Sequence, residues 1–99
     1  MTEKQLVFED FKDRVGSVFT PLNIDVALSL TLHEAELLTA QFAPPEMRPP
    51  FSLIFLGPGN LIMPQGLYLL RHDEMGEVTI FLVPVGKDER GVSYQATFN

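Results

Sequence analysis

Hydrophobic and polar residues alternate over the C-terminal third of the chain, which is the pattern of antiparallel strands with one buried face. The alternation is strict over residues 92–98, and two further strands are predicted over residues 67–72 and 77–85. Polar segments that contain glycine, at 73–76 and 86–91, separate these strands. The pattern therefore predicts two consecutive β-hairpins.

Two more strands are predicted closer to the N-terminus. Residues 51–56 form an apolar run between a proline and a glycine, which is typical of a strand covered on both faces. Residues 17–20 predict a short strand. In the 77–85 strand, Pro84 cannot donate a ladder hydrogen bond, so this end is predicted to lie at an edge or a bulge.

The segment 26–33 also alternates, but the pattern then changes. After His33 the apolar positions move to Ala35 and Leu37. A strand accommodates this change of parity only through a β-bulge or a break. Good helix formers over residues 33–42 leave a helix as the alternative. We favour the bulged strand.

An amphipathic helix is predicted over residues 6–15. Phe8, Phe11 and Val15 have helical spacing, and charged residues lie between them. Gly16 is a suitable residue to end the helix.

The segment 43–50 holds four prolines in eight positions, so it forms neither a helix nor a central strand. It is predicted to connect two parts of one domain, because neither flanking half is large enough to bury a core alone. We therefore expect a single mainly β (α+β) domain over residues 1–99. It would be an antiparallel bent sheet or small open barrel of about six strands, with one short N-terminal helix as a plug.

Composition and charge exclude several classes of function. The chain has no Cys, which excludes disulfides and thiolate chemistry. Thirteen acidic against seven basic side chains give a net charge of -6, which would repel a nucleic-acid backbone. The apolar runs are strand-sized, so no membrane contact is expected. The first residues lack the apolar core of a signal peptide, and we expect a cytoplasmic protein.

Candidate catalytic chemistry centres on His72, which is followed by Asp73 and Glu74. The other histidine, His33, is too distant in sequence to form a ligand pair within one element. An exposed position at a strand end is the simpler interpretation of both histidines. No serine lies in a nucleophile motif, and no cofactor is implied. A small hydrolase or metal enzyme around His72 is one alternative function.

The candidate partner-binding residues are Arg48, Pro49, Pro50 and Phe51. Prolines are rigid before binding and lose little entropy, and Arg and aromatic side chains are common interface anchors. The alternative is a plain linker in which Phe51 begins the next strand.

A small-ligand-binding β-barrel is a further alternative. Inward residues such as Phe55, Leu69, Ile80 and Tyr94 would line its apolar cavity. The same side chains would equally fill a packed core.

Several segments of the chain resemble a known family. They are FEDF and VG within residues 8–16, RPPFSLIFLGP at 48–58, PQGLY at 64–68, His72, FLVPVG at 81–86 and YQATFN at 94–99. In these segments the chain resembles a bacterial family of roughly hundred-residue proteins described as a domain of unknown function. The resemblance brings no catalytic residues. Its members are encoded near phage-tail-collar-like proteins, which implies an accessory role in an extracellular or phage-derived assembly.

The leading hypothesis is a non-enzymatic protein-interaction or assembly module, accessory to a phage-tail-like structure. Pro, Gly and apolar residues dominate its motif-like segments, and they fix backbone shape rather than move protons. A protein partner is expected at the proline segment or along an unpaired strand edge, by β-augmentation. The same kind of edge is a route to a homo-oligomer.

Overall fold

Alternating burial along each strand builds the fold. The structure, a computed structural model, describes residues 5–38 and 49–98. Its strands are β1 (Val18–Pro21), β2 (Leu30–Leu37), β3 (Phe51–Gly57), β4 (Gly66–His72), β5 (Gly76–Asp88) and β6 (Gly91–Phe98). Every strand pairs with its neighbours in the antiparallel sense, which confirms the mainly β class.

The six strands form one closed barrel in the order β1-β2-β3-β6-β5-β4. Closure depends on the short strand β1, where Phe19 lies opposite Leu30 of β2 and Thr20 lies opposite Arg71 of β4. The expected bent sheet or open barrel is therefore a complete ring. Four residues of β1 are enough to join the two ends of the sheet.

The predicted bulge in the second strand is confirmed. β2 begins at Leu30, which pairs with Phe19 of β1. Its register with β3 shifts between Leu32 and Glu34. This shift lets Leu32 before the bulge and Ala35 after it both face the core, whereas Leu37 remains 48% exposed. The alternative helix is wrong as far as residue 38, and residues 39–42 lie outside the described part.

Both C-terminal hairpins are confirmed, but their turns are tighter than the polar segments suggest. The β4–β5 hairpin closes at the pair His72 and Gly76, and Gly76 has a φ of 74° that suits glycine. The β5–β6 hairpin closes at Asp88 and Gly91. The Asp88 side chain accepts a hydrogen bond from the backbone N–H of Arg90 at 2.8 Å, which stabilises this tight turn. The two strands therefore extend into the segment that was predicted to be a loop.

The prediction for Pro84 is also confirmed. Pro84 lies opposite Tyr94 of β6, but Gly86 lies opposite the next residue, Ser93. The register shift leaves Val85 as the extra residue, with half of its side chain exposed.

The predicted N-terminal helix is a single 3₁₀ turn, Phe8–Asp10, followed by further turns. The backbone N–H groups of Phe11 and Arg14 each bond to the carbonyl three residues earlier. A single bond to the carbonyl four residues earlier, from Lys12 to Phe8, does not continue into an α-helix. Phe11 is fully buried whereas Val15 is 50% exposed. The expected apolar helix face therefore does not exist, because the packing of Phe11 on the barrel determines the local conformation.

Phe11 nevertheless acts as the expected plug. Its ring packs against Phe19, Phe51 and Phe98, with ring centroids about 6 Å apart. The turn segment thereby covers one end of the barrel. Over residues 5–38 and 49–98 no helix has the length and apolar character needed to cross a membrane.

Candidate functional site

An open cleft of about 550 Å³ lies where β1 meets β4. It is lined by Ser17, Val18, Thr20, Arg71, His72, Asp73 and Glu74. The prediction that His72 is an exposed strand-end residue is wrong, because the residue is only 5% exposed. Its position in β4 turns it inward, and its ring packs 4.5 Å from that of Phe19.

Every nitrogen of the His72 ring has a hydrogen-bond partner. The backbone N–H groups of Glu74 and Met75 both donate to Nδ1, at 3.0 and 3.2 Å. Nδ1 therefore carries the lone pair, and the proton of the neutral ring is on Nε2. Nε2 lies 2.9 Å from the Oγ of Ser17, and that hydroxyl donates onward to the carbonyl of Arg14.

This direction is opposite to that of a nucleophile and its base. In a catalytic pair the hydroxyl donates to an unprotonated imidazole nitrogen, which then takes the proton. Here the imidazole donates to Ser17, and the nitrogen that could act as a base is occupied by two amides. The His72 and Ser17 pair thus ties the β4–β5 hairpin to the segment before β1.

The acidic neighbours of His72 do not complete a metal site. Asp73 and Glu74 are exposed, and no group of three or more potential metal-ligand residues occurs in the part of the chain that the structure describes. His33 is exposed as predicted, and Nη1 of Arg90 donates to its Nε2 at 3.1 Å. A side-chain hydrogen bond from Arg90 holds the pKa of Asp88 below its usual value.

The proline segment contributes little described surface. Arg48 lies outside the described residues, Pro49 is exposed, and Pro50 is half-buried with its carbonyl bonded to the N–H of Leu38 at 2.9 Å. Phe51 is fully buried, and its ring stacks on that of Phe98 at 4.4 Å. Phe51 therefore belongs to the core, as the linker interpretation expects. Among the described candidate partner-binding residues, Pro49 is the exposed one.

The residues predicted to line a ligand cavity divide into two groups. Phe55, Ile80 and Tyr94 are buried inside the barrel, whereas Leu69 is on the outer side of β4. The inward side chains pack on one another, and the rings of Phe19 and Phe55 are 5.3 Å apart. A ligand would have to displace these core side chains.

Two buried tyrosines fix the loop that crosses the other end of the barrel. The Tyr94 hydroxyl accepts the N–H of Met63 at 2.8 Å, and the Tyr68 hydroxyl donates to the carbonyl of Pro64. Burial, together with the nearby Tyr94 phenol, raises the pKa of Tyr68. These contacts give the polar groups of both rings a structural role.

The outer side of the β4–β5 hairpin carries an apolar surface that the sequence interpretation missed. Leu67 lies directly opposite Phe81 on the two strands. Both side chains point away from the core, and they are 63% and 49% exposed. Large apolar side chains paired in this way on the outside of a barrel contribute nothing to its core.

The outward positions around this pair are uncharged. They are Leu67 and Leu69 on β4, and Thr79, Phe81 and Val83 on β5, which we call the outer apolar face. On β6 the adjacent outward residue is Gln95, opposite Val83. Along β4 and β5 the next outward pair, Arg71 and Glu77, is charged.

The sequence contains a partial signal for this surface. Residues 67–70 and 80–83 are continuous apolar runs within strands that otherwise alternate. Such runs indicate that both faces of the hairpin are apolar. They do not tell which of the two faces is turned toward the core, because both parities are hydrophobic.

Fold and surface together define a small closed antiparallel barrel with a filled interior and an apolar outer face. A family model described as "Domain of unknown function (DUF6916)" matches residues 6–98, and the chain belongs to this family. Neither a curated protein nor a solved structure matches the chain.

Proposed function

We propose that this protein is a non-enzymatic protein-interaction or assembly module that binds its partner through the outer apolar face. The observation that carries the proposal is the exposed cross-strand pair of Leu67 and Phe81. Binding would remove both side chains from water, and apolar burial is the main driving force of protein association. Aromatic side chains such as Phe81 are frequent energetic centres of interfaces.

The charge distribution supports this choice of surface. The chain has a net charge of -6, so most of its surface repels another acidic protein. The outer apolar face has no charged member, and a partner can approach it without desolvating an ion. The partner surface that fits it is an apolar and uncharged face of another protein.

The hydrogen bonds of His72 support a non-enzymatic role. The neutral ring donates to Ser17, and its other nitrogen accepts two backbone amides. Neither residue is therefore poised to transfer a proton to or from a substrate. The same contacts explain the burial of His72 without a catalytic purpose.

The proposal also covers the origin of the protein, the assembly that it serves and its location in the cell. The resemblance described above supports a bacterial origin and an accessory role beside a phage-tail-like structure. A cytoplasmic location agrees with the absence of Cys from the chain. Cell fractionation with an antibody against the untagged protein would test the location, and recovery outside the cytoplasm would contradict it.

The test of the interaction compares three forms of the protein in the native host. The face variant is Leu67→Asp/Phe81→Asp, and the control is Val15→Asp/Val26→Asp, whose residues are about equally exposed elsewhere. Cross-linking with mass spectrometry would identify contacts, and sedimentation velocity would measure complex size.

We expect cross-links next to the outer apolar face in the wild type and in the control, and their loss in the face variant. A wild-type protein that stays monomeric and forms no cross-link near this face would contradict the proposal. Equal loss in the control would also contradict it, since a general effect of added charge would then be responsible.

A further inference from the structure

Beyond its bulge, β2 has no hydrogen-bonded strand on one of its two sides among the described residues, although the barrel is closed and the Phe8–Asp10 turn contacts β2. At its start, β2 pairs with β1 through Leu30 and Thr31, and Leu32 bonds to the chain just before β1. Beyond the bulge, residues 34–37 pair with β3 on one side. Within residues 5–38 and 49–98, no strand lies against their other side.

The hydrogen-bond pattern shows which backbone groups face this open side. The N–H of Leu38 donates to the carbonyl of Pro50 on β3 at 2.9 Å. In an antiparallel ladder every second residue bonds to the same neighbour, so residues 36 and 34 also bond to β3. Ala35 and Leu37 therefore point their N–H and C=O groups away from β3, and no described residue bonds to them there.

The side chains beside this edge carry a specific charge. Glu34 and Glu36 alternate with Ala35 and Leu37, so both acidic side chains are on the outer side, with their Cα atoms about 7 Å apart. Both are exposed, and neither has an ion-pair partner among the described residues. The residues opposite them on β3 are Ile54 and Ser52, which are uncharged.

A cation close to the start of this edge is already engaged. Arg90 contacts His33 at the bulge, but its guanidinium also forms an ion pair with Asp88 at 3.0 Å. Among the described residues no cation pairs with either glutamate, so both can attract a cation from another molecule.

We propose that residues 34–37 bind an extended segment of a partner protein by β-augmentation, in which Lys or Arg faces Glu34 and Glu36 and apolar residues lie between. Main-chain bonds to Ala35 and Leu37 would hold the segment, and alternate side chains would select it. The inference rests on the proposed interaction function but concerns a second surface.

The same charges argue against a second copy of this chain as the occupant. Two such edges paired antiparallel would bring Glu34 and Glu36 of one copy beside those of the other. Like charges in adjacent cross-strand positions are destabilising, and charged edge residues commonly prevent self-pairing of strands. A basic segment of another protein meets no such repulsion.

The test uses a short end-blocked peptide that alternates Lys and Val, titrated into the full-length protein at low salt and followed by NMR. A peptide of the same sequence, N-methylated on its bonding amides, is the backbone control. Glu34→Lys/Glu36→Lys tests the charge, and Asp25→Lys/Glu89→Lys makes the same change in net charge at other exposed positions.

Leu37→Pro tests the backbone of the protein itself. It removes an outward N–H while the bonds of β2 to β3 remain, and proline is tolerated on such an edge. Thermal unfolding would confirm that the variant folds. We expect Leu37→Pro, Glu34→Lys/Glu36→Lys and peptide methylation each to weaken binding at least about tenfold. Amide shifts should be largest at Ala35 and Leu37 in the wild type.

Two results would overturn the inference. One is the absence of binding at about millimolar peptide. The other is binding that neither Leu37→Pro nor methylation weakens, since simple charge attraction would then explain it. Leu67→Asp/Phe81→Asp should bind the peptide like the wild type, so failure at this edge is distinguishable from failure of the outer apolar face.

Discussion

The Nε2 atom of His72 lies 2.9 Å from the Oγ of Ser17, and the surrounding hydrogen bonds make the imidazole the donor and the hydroxyl the acceptor. Histidine and serine, which form the catalytic pair of many hydrolases, are thus hydrogen-bonded here in the opposite donor-to-acceptor direction. The two backbone amides that donate to Nδ1 impose this direction.

The direction predicts a specific tautomer. Nitrogen NMR of the His72 ring at neutral pH should show the proton on Nε2, because Nδ1 accepts from Glu74 and Met75. Ser17→Ala should lower the free energy of unfolding by about 1 kcal/mol, since it removes a partner of His72. Ser29→Ala, at an exposed loop position, is the control and should change it by less than about 0.5 kcal/mol. A ring protonated on Nδ1 would refute the assignment.

Gly91 is predicted to be irreplaceable. It has a φ of 132°, and a Cβ there would lie 2.0 Å from the carbonyl oxygen of Gly57. Gly91→Ala should therefore destabilise the protein by at least about 2 kcal/mol, measured by urea unfolding. Gly86→Ala is the control, because nothing lies within 4 Å of its added Cβ. Equal stability of the two variants would show that the β5–β6 hairpin has another geometry.

The two tyrosine hydroxyls should differ in their effect on stability. Tyr94→Phe leaves the buried N–H of Met63 without an acceptor, which costs about 1–3 kcal/mol. Tyr68→Phe removes a bond to the carbonyl of Pro64, an exposed residue that water can reach, so it should cost less than about 1 kcal/mol. Chemical unfolding of both variants measures the difference, and a larger loss for Tyr68→Phe would contradict it.

The stability of the protein should fall at alkaline pH partly because of Tyr68. Its pKa is raised above the ordinary value of 10.0, first by burial and then by the Tyr94 phenol. The unfolded chain therefore loses this proton at a lower pH than the folded chain, and folding is progressively disfavoured as pH rises above that value. Urea unfolding on both sides of pH 10 should show a steeper fall for the wild type than for Tyr68→Phe. If the free energy of unfolding fell equally with pH in both proteins, Tyr68 would not be the cause of the fall.

Phe51 and Pro49 should respond differently to truncation. Phe51→Ala would leave a cavity beside Phe8, Phe11 and Phe98 and should cost about 3–5 kcal/mol. Pro49→Ala changes an exposed residue and should cost less than about 1 kcal/mol. Thermal unfolding of the two variants would measure this. A small effect of Phe51→Ala would restore it as a candidate surface residue.

The periodicity of the chain was sufficient to predict most strands. Strict alternation in β6, and the parity change after His33, are local patterns whose physical cause is the two-residue repeat of a strand. The turn at Gly76 was predictable for a similar reason, because a left-handed backbone position favours glycine. In each case neighbouring residues alone carry the information.

Long-range packing decided the features that the sequence left open or indicated wrongly. Closure of the barrel depends on a pairing between Thr20 and Arg71, which are far apart in sequence. The fit of Phe11 into the barrel end replaced the predicted helix by a 3₁₀ turn, since burial of this ring outweighs local helix propensity.

The candidate surfaces depended even more on tertiary structure. Continuous apolar runs in β4 and β5 are compatible with either face inward, and only the packed barrel places Leu67 and Phe81 outside. Likewise, the sequence places Glu34 and Glu36 on one side of a strand. Only the structure shows that, among the described residues, no strand pairs with the edge beside them, because β1 ends its pairing with β2 earlier. The sequence by itself determined most of the strands and the approximate positions of their turns through local periodicity. The tertiary structure decided which side chains and edges remain for a partner, because burial is a property of the whole barrel.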